Sequence, residues 1–344
     1  MNIVVLAGGS SPEREVSLST GSMVCRALKE RGHRAILIDL IKDYEITGTA
    51  EEIFQRGSVN ETGNQEPQGQ WERVGETAPD PRSESEEAGA VFGDGVLKLC
   101  GMADRVFLAL HGAEGENGKI QGAFDLLGIS YTGCGSLPSA LAMNKLVAKR
   151  LFVAEGIPTP DFYVVDQENA GEGPRSCPCV VKPLSGGSSI GVSIVWDEGE
   201  WQAALAAAFR YESRVLVEEY VEGREFSVGI LDGKALPVIE IQPTEGFYDY
   251  KNKYQPGRTL EECPANISEE LTVRLQDCAL WAAKTLEFDS YGRVDFMVDV
   301  YGDVYCLEVN SLPGMTPTSL LPQEAVAAGI HFNELCEQLI RSGD

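Results

Sequence analysis

Two short segments near the C-terminal end alternate polar and apolar residues, as the two strands of an antiparallel hairpin do. They cover residues 293–298 and 304–310, and the Tyr-Gly pair at 301–302 predicts a two-residue turn between them. In that register Asp295 lies directly opposite Glu308. Facing side chains have Cβ atoms about 4.5 to 5.5 Å apart, so two like charges there are destabilising. A cation between the strands would remove that cost.

Asn310 joins these two carboxylates on the same predicted face, which brings three oxygen ligands together. Oxygen-only ligands suit a hard cation such as Mg²⁺, whereas zinc favours thiolates and imidazoles. Mg²⁺ held by few protein ligands usually serves bound phosphates. A polar hairpin face open to water is the ordinary explanation for a single acidic strand residue. Three ligands on one face favour a metal site instead.

The composition excludes several classes of protein. With 53 acidic and 28 basic residues the formal charge is -25, which repels a phosphate backbone and argues against nucleic-acid binding. No apolar run reaches the length of a membrane span, and the chain enters a strand-like segment at residue 2 without a basic leader, so we predict a cytoplasmic protein with no membrane partner. Nine cysteines with one close pair, Cys177 and Cys179, indicate reduced thiols.

The length of 344 residues predicts two or three domains. Near the N-terminus, strand-like segments at 3–6, 35–40 and 106–110 alternate with a helical stretch at 17–30, as in a parallel α/β sheet of the Rossmann-like kind. Residues 43–95 are polar and rich in Glu, Gly, Pro, Ser and Gln. We interpret them as a mobile insertion, with room for a short helix at 46–54.

The rest of the chain predicts two further units. Helical and strand-like segments between residues 134 and 222 fit an α+β domain, and a third region from 223 to 344 contains the hairpin and ends with a helix at 332–341. The first unit then covers residues 1–133. The predicted architecture is therefore a parallel α/β domain followed by two α+β domains.

Residues 182–191, called here the Gly/Ser loop, follow a buried-looking strand. Their small side chains allow successive backbone N–H groups to surround an anion, although a flexible connection is the commoner use of such a loop. Lys145 and Lys182 stand beside glycine-containing segments, and in so acidic a chain we interpret them as phosphate contacts rather than solvated lysines. The strand at 215–221 can offer backbone groups and a carboxylate to an adenine, or be a plain strand end.

Seven segments in order make the chain resemble the ATP-grasp superfamily, and within it the D-alanine:D-alanine ligase family. The segments are 8–17, 110–118, 143–145, 182–191, 247–254, 292–295 and 308–316. The resemblance covers nearly the whole chain apart from the insertion, and it implies a three-domain ATP-grasp fold. One departure is Asn144, where the family often has an acidic residue before the lysine.

The resemblance implies ATP and two Mg²⁺ ions as cofactors, with Mn²⁺ as an alternative ion. The implied phosphate contacts are Lys145, Lys182, Lys253 and, on the Gly/Ser loop, Ser189. The implied contacts of the adenosine are Glu218 and the backbone of Glu219 to Val221 for the adenine and Glu225 for the ribose. The implied metal ligands are the three hairpin residues Asp295, Glu308 and Asn310.

The resemblance also implies two amino-acid sites. The first D-alanine would meet Glu13 and His111, with Ser188 linking Glu13 to Tyr254 by hydrogen bonds. Without the resemblance, Ser10 and Glu13 have the spacing of a helix capping box. The groups implied at the second D-alanine are Arg293 and the Gly314 N–H for the oxyanion, and Ser319 and the Leu320 N–H for the carboxylate.

The implied function is an ATP-dependent ligase that joins two D-alanines through an acyl phosphate and supplies peptidoglycan precursors. Gly186 and Gly187 on the Gly/Ser loop and the segment 248–257 are candidate lids against water. The resemblance implies a homodimer. Two alternatives stay open, namely the same scaffold with D-lactate or D-serine as acceptor, and a nucleotide-binding regulatory protein that has lost activity.

Overall fold

A parallel sheet of three strands forms the N-terminal part of the protein. The computed structural model describes residues 1–61, 91–171, 173–255, 257–288 and 290–342. Asn2–Ala7 is the central strand, with Arg34–Asp39 and Arg105–Leu108 on its two sides. Ile3 to Ala7 are all inaccessible to solvent, as expected for a parallel strand covered on both faces. The helices that share the buried core with this sheet include Arg14–Glu30, Val96–Met102, Lys119–Leu127 and, from the C-terminus, Phe332–Arg341, and Ala113–Glu116 is a further short helix. The predicted parallel α/β sheet is confirmed.

Short elements lie on either side of residues 62–90, which are outside the described residues. Tyr44–Glu45 pairs with Asn60–Glu61, and the helix Ala50–Arg56 between them begins at a capping box formed by Thr49 and Glu52. That helix is the short helix expected at 46–54. The limits 43–95 of the insertion, and its mobility, stay predictions.

The middle of the chain forms an antiparallel sheet of four strands. Their order is Phe162–Asp166, Arg214–Glu219, Cys179–Pro183 and Ser193–Val195. The helix Trp201–Ala208 follows the short 3₁₀ turn Glu198–Glu200 and covers one face, where Trp201 is buried. A second 3₁₀ turn spans Gln167–Asn169, and the helices Ser136–Met143 and Lys145–Glu155 lead into this sheet.

The C-terminal part is built on a larger antiparallel sheet. Its strand order is Thr259–Glu262, Ile239–Pro243, Gly223–Leu231, Gly292–Asp299 and Val304–Asn310, and Lys234–Ala235 pairs with Gly223–Leu231. Its helices are Tyr250–Tyr254, Glu269–Thr285 and Leu320–Ala327. The three sheets fall within the predicted ranges 1–133, 134–222 and 223–344. The domain limits themselves stay predictions.

The hairpin places Asp295 opposite Glu308 as predicted, but between the bulge and the turn its pairing is offset by one residue from the predicted register. The prediction of a two-residue turn at 301–302 is wrong. The turn is longer, because Val298 pairs with Val304 and the Asp299 N–H donates to the Asp303 carbonyl at 3.0 Å. If the pairing of Val298 with Val304 continued along the strands without interruption, Asp295 would lie opposite Leu307. A bulge between Asp295 and Phe296 shifts the pairing by one residue and brings Asp295 opposite Glu308.

None of the helices in the described part of the chain is long and apolar enough to cross a membrane.

The hairpin also contributes to the C-terminal core, and this gives a stability prediction. Phe296 is inaccessible, whereas Tyr301 at the turn is 89% exposed. We expect Phe296→Ala to cost roughly 3 to 5 kcal/mol in the free energy of unfolding, because the truncation leaves a cavity. Tyr301→Ala, the matched control, should stay within about 0.5 kcal/mol. Urea denaturation measures both, and equal losses would contradict the packing described here.

Candidate active site

Two cavities meet at one point between the sheets. The first, about 360 Å³, lies between the two antiparallel sheets, and the second, about 740 Å³, extends from Glu13 to Ser319. Lys145, Lys253 and Glu308 line both cavities. The junction therefore combines two cations and a carboxylate, so a group bound in one cavity can meet a group bound in the other.

Lys182 and Glu218, which line the first cavity, form a buried cluster with Lys149 behind them. Glu218 forms ion pairs with Lys182 at 2.6 Å and with Lys149 at 2.8 Å. Burial alone would raise the pKa of Glu218, but the two lysines hold it below its ordinary value. Burial lowers the pKa of Lys149, which is inaccessible to solvent, and Glu218 opposes that change. The Glu218 carboxylate thus fixes the position of Lys182.

Sequence reasoning missed Lys149. It stands four residues after Lys145 on the helix Lys145–Glu155, so the two ammonium groups lie on the same side of that helix. That spacing was the available signal. The other residues predicted for the nucleotide that line the first cavity are Ser189, Glu219, Val221 and Glu225. Burial raises the pKa of Glu225 to about 7, although Lys253 opposes the rise.

Lysines surround the carboxylate at the junction. The Lys145 ammonium lies 3.2 Å from Glu308 and donates to the Gly186 carbonyl at 2.7 Å. Burial would raise the pKa of Glu308, but Lys145, Lys182 and Lys253 lower it to about 2. Glu308 is therefore ionised at any physiological pH. An anion brought to the junction meets Lys145 and Lys253 there, with Lys182 in the wall of the first cavity, and one fixed negative charge.

The Gly/Ser loop closes over the junction and contacts both sides of it. Ser188 and Ser189 have φ angles of 52° and 56°, a left-handed conformation that is uncommon outside glycine. The Ser188 hydroxyl donates to a Glu13 carboxylate oxygen, and the Ser189 hydroxyl donates to the Tyr248 carbonyl at 2.8 Å. The strained backbone is thus fastened to the N-terminal part and to the segment around Tyr248.

The predicted metal ligands converge on the hairpin, and one of them has an additional partner. Asp295 pairs with Glu308 in register, accepts two hydrogen bonds from Arg293 at 2.7 and 2.8 Å, and accepts one from Ser227 at 2.8 Å. The Asn310 Oδ1 atom is buried and has no hydrogen-bond partner among the described residues. An orphaned buried oxygen beside two carboxylates fits a hard divalent cation. No cluster of three or more His, Cys, Asp or Glu with metal-binding geometry occurs among the described residues. A metal site at the hairpin therefore needs the Asn310 amide oxygen as its third ligand.

Glu13 and His111 lie together at one end of the second cavity. Burial raises the pKa of Glu13, and the hydrogen bond from Ser188 opposes this rise. His111 lies 3.1 Å from the Thr20 hydroxyl, and burial lowers its pKa to about 4. Sequence reasoning gave no role to Glu116, which is buried beside them and accepts from the Gly112 N–H at 2.7 Å. Burial and the Glu13 charge raise the pKa of Glu116 to about 8.

The opposite end of the second cavity is formed by Gly314, Ser319 and Leu320. Ser319 is the N-cap residue of the helix Leu320–Ala327, and its hydroxyl accepts from the Thr316 N–H at 3.1 Å. A Cβ atom on Gly314 would lie 2.8 Å from the Ser319 hydroxyl oxygen, so a larger residue would displace that hydroxyl. Arg293 lines the same cavity. The side chain of Tyr254 lies outside the described residues, and its predicted bond to Ser188 stays a prediction.

The chain matches two family models in succession. Residues 2–134 match the model described as D-ala D-ala ligase N-terminus, and residues 151–341 match the model described as D-ala D-ala ligase C-terminus. Together they cover most of the chain. The chain belongs to the D-alanine–D-alanine ligase family.

Relatives of this family match the chain over almost its full length. A D-alanine–D-alanine ligase of Pediococcus pentosaceus is 43% identical, with 99% of this chain and 97% of that protein covered, and one of Lacticaseibacillus casei is 40% identical, with 99% and 95% covered. A crystal structure of the Bacillus anthracis ligase complexed with ATP is 31% identical with a TM-score of 0.73, covering 99% of this chain and 97% of that one. The VanG D-Ala:D-Ser ligase of Enterococcus faecalis is 29% identical with a TM-score of 0.72, covering 99% and 98%.

Membership in the D-alanine–D-alanine ligase family confirms the predicted resemblance and the predicted ATP-grasp fold. The chain is an ATP-dependent ligase, as the sequence indicated. The structure places the residues predicted for the nucleotide in the wall of the first cavity, and those predicted for the amino acids, apart from Tyr254, in the wall of the second. Their individual roles are matters for proposal.

Burial of His111 predicts a pH dependence of stability. Its pKa is about 4 in the folded protein against an ordinary value of 6.5, so the unfolded chain takes up the proton first as the pH falls. The free energy of unfolding is therefore at its full value above about pH 6.5, and it falls by up to roughly 3 kcal/mol as the pH approaches 4. Urea denaturation of the wild type and of His111→Gln across this interval measures it. A titration of the ring near pH 6.5 in NMR spectra would contradict the burial.

Proposed function

We propose that this protein joins two D-alanine molecules to D-alanyl-D-alanine, through an acyl phosphate made from ATP, for peptidoglycan precursor synthesis. The observation that carries the proposal is the meeting of the two cavities at Lys145, Lys253 and Glu308. A carboxylate resists attack by an amine because it is negatively charged and lacks a good leaving group. Phosphorylation corrects both faults, and it requires the phosphate donor and the carboxylate to meet at one point.

ATP would occupy the first cavity. Its adenine would lie along the backbone of Glu219 to Val221 near Glu218, and Glu225 would take the ribose. Lys145, Lys182 and Lys253, with N–H groups of the Gly/Ser loop at Ser189, would hold the phosphates. These cations reduce the charge repulsion between the terminal phosphate and the incoming carboxylate.

Asp295, Glu308 and Asn310 would hold the divalent ions, two Mg²⁺ with Mn²⁺ as an alternative. When bound, these ions would neutralise negative charge on the phosphate oxygens. Glu308 is prepared for this role because the lysines keep it ionised. In the part of the chain that the structure describes, the Asn310 oxygen accepts no hydrogen bond that a cation would have to displace.

The first D-alanine would lie at the Glu13 end of the second cavity. The Glu13 carboxylate would hold the ammonium group, and Ser188 would orient that carboxylate. A neutral His111 beside it would add no repulsion to the ammonium group. The substrate carboxylate would then point to the junction, where the phosphate arrives.

The second D-alanine would lie at the Ser319 end. Its carboxylate would bind the Ser319 hydroxyl and the Leu320 N–H at the beginning of a helix, where backbone N–H groups attract anions. Arg293 and the Gly314 N–H would stabilise the oxyanion that forms when the amine attacks. The hydrogen bonds from Arg293 to Asp295 fix the direction of the guanidinium group.

Water would hydrolyse an acyl phosphate, so the site must close before the reaction. Gly186 and Gly187 of the Gly/Ser loop and the segment 248–257 are the proposed lids. The hydrogen bond from Ser189 to the Tyr248 carbonyl ties one lid to the other. Lids joined in this way would close together.

A cytoplasmic location and a homodimeric assembly are also proposed, with D-alanine and ATP as the small-molecule partners and neither nucleic acid nor a membrane. The charge of -25 supports the absence of nucleic acid.

The most direct test of the activity measures phosphate release from ATP with a panel of D- and L-amino acids, and mass analysis of the products. We expect release with D-alanine, and D-alanyl-D-alanine as the product. A mixed dipeptide with D-serine as the main product would assign another acceptor. ATP binding without amino-acid-dependent phosphate release would support a regulatory protein instead.

Lys253 provides a mutational test. Lys253→Ala should lower kcat by about 10²-fold or more while the Kd for nucleotide changes little, because the lysine acts on charge that develops during phosphoryl transfer. Lys251→Ala, on the exposed side of the same helix, is the matched control and should behave as the wild type. Equal losses in turnover and nucleotide affinity for Lys253→Ala would contradict a transition-state role.

A further inference from the structure

A carboxylate without an assigned role lies at the Ser319 end of the second cavity. Glu261, on the edge strand Thr259–Glu262, lines this cavity together with Arg293 and Ser319. One Glu261 oxygen accepts from the Tyr248 hydroxyl at 3.2 Å, and the other accepts from the Gln323 amide at 2.5 Å. Both oxygens are therefore fixed in position.

The bond to Gln323 places Glu261 beside the wall of the proposed acceptor site. Gln323 belongs to the helix Leu320–Ala327, whose N-cap residue is Ser319, and its amide also donates to the Thr318 carbonyl at 2.9 Å. Burial raises the pKa of Glu261, whereas the two hydrogen bonds and the charge of Arg293 oppose the rise. Each of these three groups favours the ionised carboxylate.

The other carboxylates that line this cavity already have partners. Glu13 accepts from Ser188, Glu116 accepts from a backbone N–H, and Glu308 pairs with Lys145. Unlike Glu308, Glu261 takes part in no ion pair within the described parts of the chain, and unlike Glu13 it lies at the Ser319 end of the cavity. It can therefore receive a cationic group without losing an existing ion pair.

We propose that Glu261 binds the amino group of the acceptor and selects amino acids over hydroxy acids at that position. The inference rests on the proposed function. An amino acid whose carboxylate is held at Ser319 and the Leu320 N–H carries its ammonium group only two bonds from that carboxylate. Glu261 provides the negative charge on the same wall. A hydroxy acid such as D-lactate brings only a neutral hydroxyl to Glu261 and lacks the attraction between an ammonium group and a carboxylate.

The variant Glu261→Gln tests this assignment, because it removes the charge and keeps the shape. We expect the KM of the acceptor D-alanine to rise at least about tenfold, the loss expected for one charge-assisted hydrogen bond, while the KM values of ATP and of the first D-alanine change little. With D-alanine and D-lactate offered together near neutral pH, the fraction of D-alanyl-D-lactate should increase. Glu262→Gln, an exposed neighbour on the same strand, is the matched control and should change neither quantity.

A second variant separates recognition from a purely structural role. Gln323→Leu removes the amide donor to Glu261 and keeps the carboxylate charge. We expect it to leave the ratio of dipeptide to D-alanyl-D-lactate as in the wild type. If it changes this ratio as much as Glu261→Gln does, Glu261 acts only through the position of the wall and the assignment is wrong.

Hydroxylamine separates the failure of this inference from the failure of the proposed function. Hydroxylamine is a small neutral nucleophile that converts a D-alanyl phosphate to the hydroxamate. It carries no ammonium group, so it does not need the Glu261 carboxylate. We expect the wild type and Glu261→Gln to form the hydroxamate at similar rates. A wild type that forms neither hydroxamate nor dipeptide would overturn the proposed function. Normal hydroxamate formation with an unchanged acceptor KM and product ratio in Glu261→Gln would overturn only the role of Glu261.

Discussion

Two carboxylates face each other across a hairpin, and the arrangement of the site depends on how their charges are balanced. Arg293 binds Asp295 from the same strand, and Lys145 binds Glu308 from a helix of the middle region. Like charges at this spacing would otherwise weaken the strand pair. Because each carboxylate has its own cation, the hairpin can hold both, Glu308 at the junction of the two cavities and Asp295 in the wall of the first.

Charges are also paired away from the hairpin, where buried lysines contact a carboxylate. Lys182 and Lys149 both form ion pairs with Glu218. A carboxylate therefore holds these lysines in place, as cations hold the carboxylates of the hairpin. Burying any one of these charges alone would cost several kcal/mol, on the order expected for an unpaired ion. In a chain with a net charge of -25, this local concentration of lysines is what makes an anionic substrate acceptable.

The sequence predicted the parts of the site that depend on local pattern, and it failed where two distant segments decide the outcome. Alternation alone indicated the hairpin, but the longer turn and the bulge are two departures that cancel, so the correct opposition of Asp295 and Glu308 followed from an incorrect turn. Arg293 stands two residues before Asp295, so both point to one face, yet their pairing was not predicted. Glu116 and Glu261 gave no local signal, because only the folded chain brings them to the second cavity.

The Mg²⁺ dependence of dipeptide synthesis in Glu308→Gln tests most directly whether the hairpin carboxylates hold the ions that serve the phosphate. Wild type and variant are assayed with D-alanine and ATP from limiting to saturating Mg²⁺. Because glutamine keeps the shape and removes one negative ligand, the variant should need far more Mg²⁺ and should be nearly inactive when Mg²⁺ is limiting. Undiminished synthesis by Glu308→Gln at limiting Mg²⁺ would contradict this role of the hairpin.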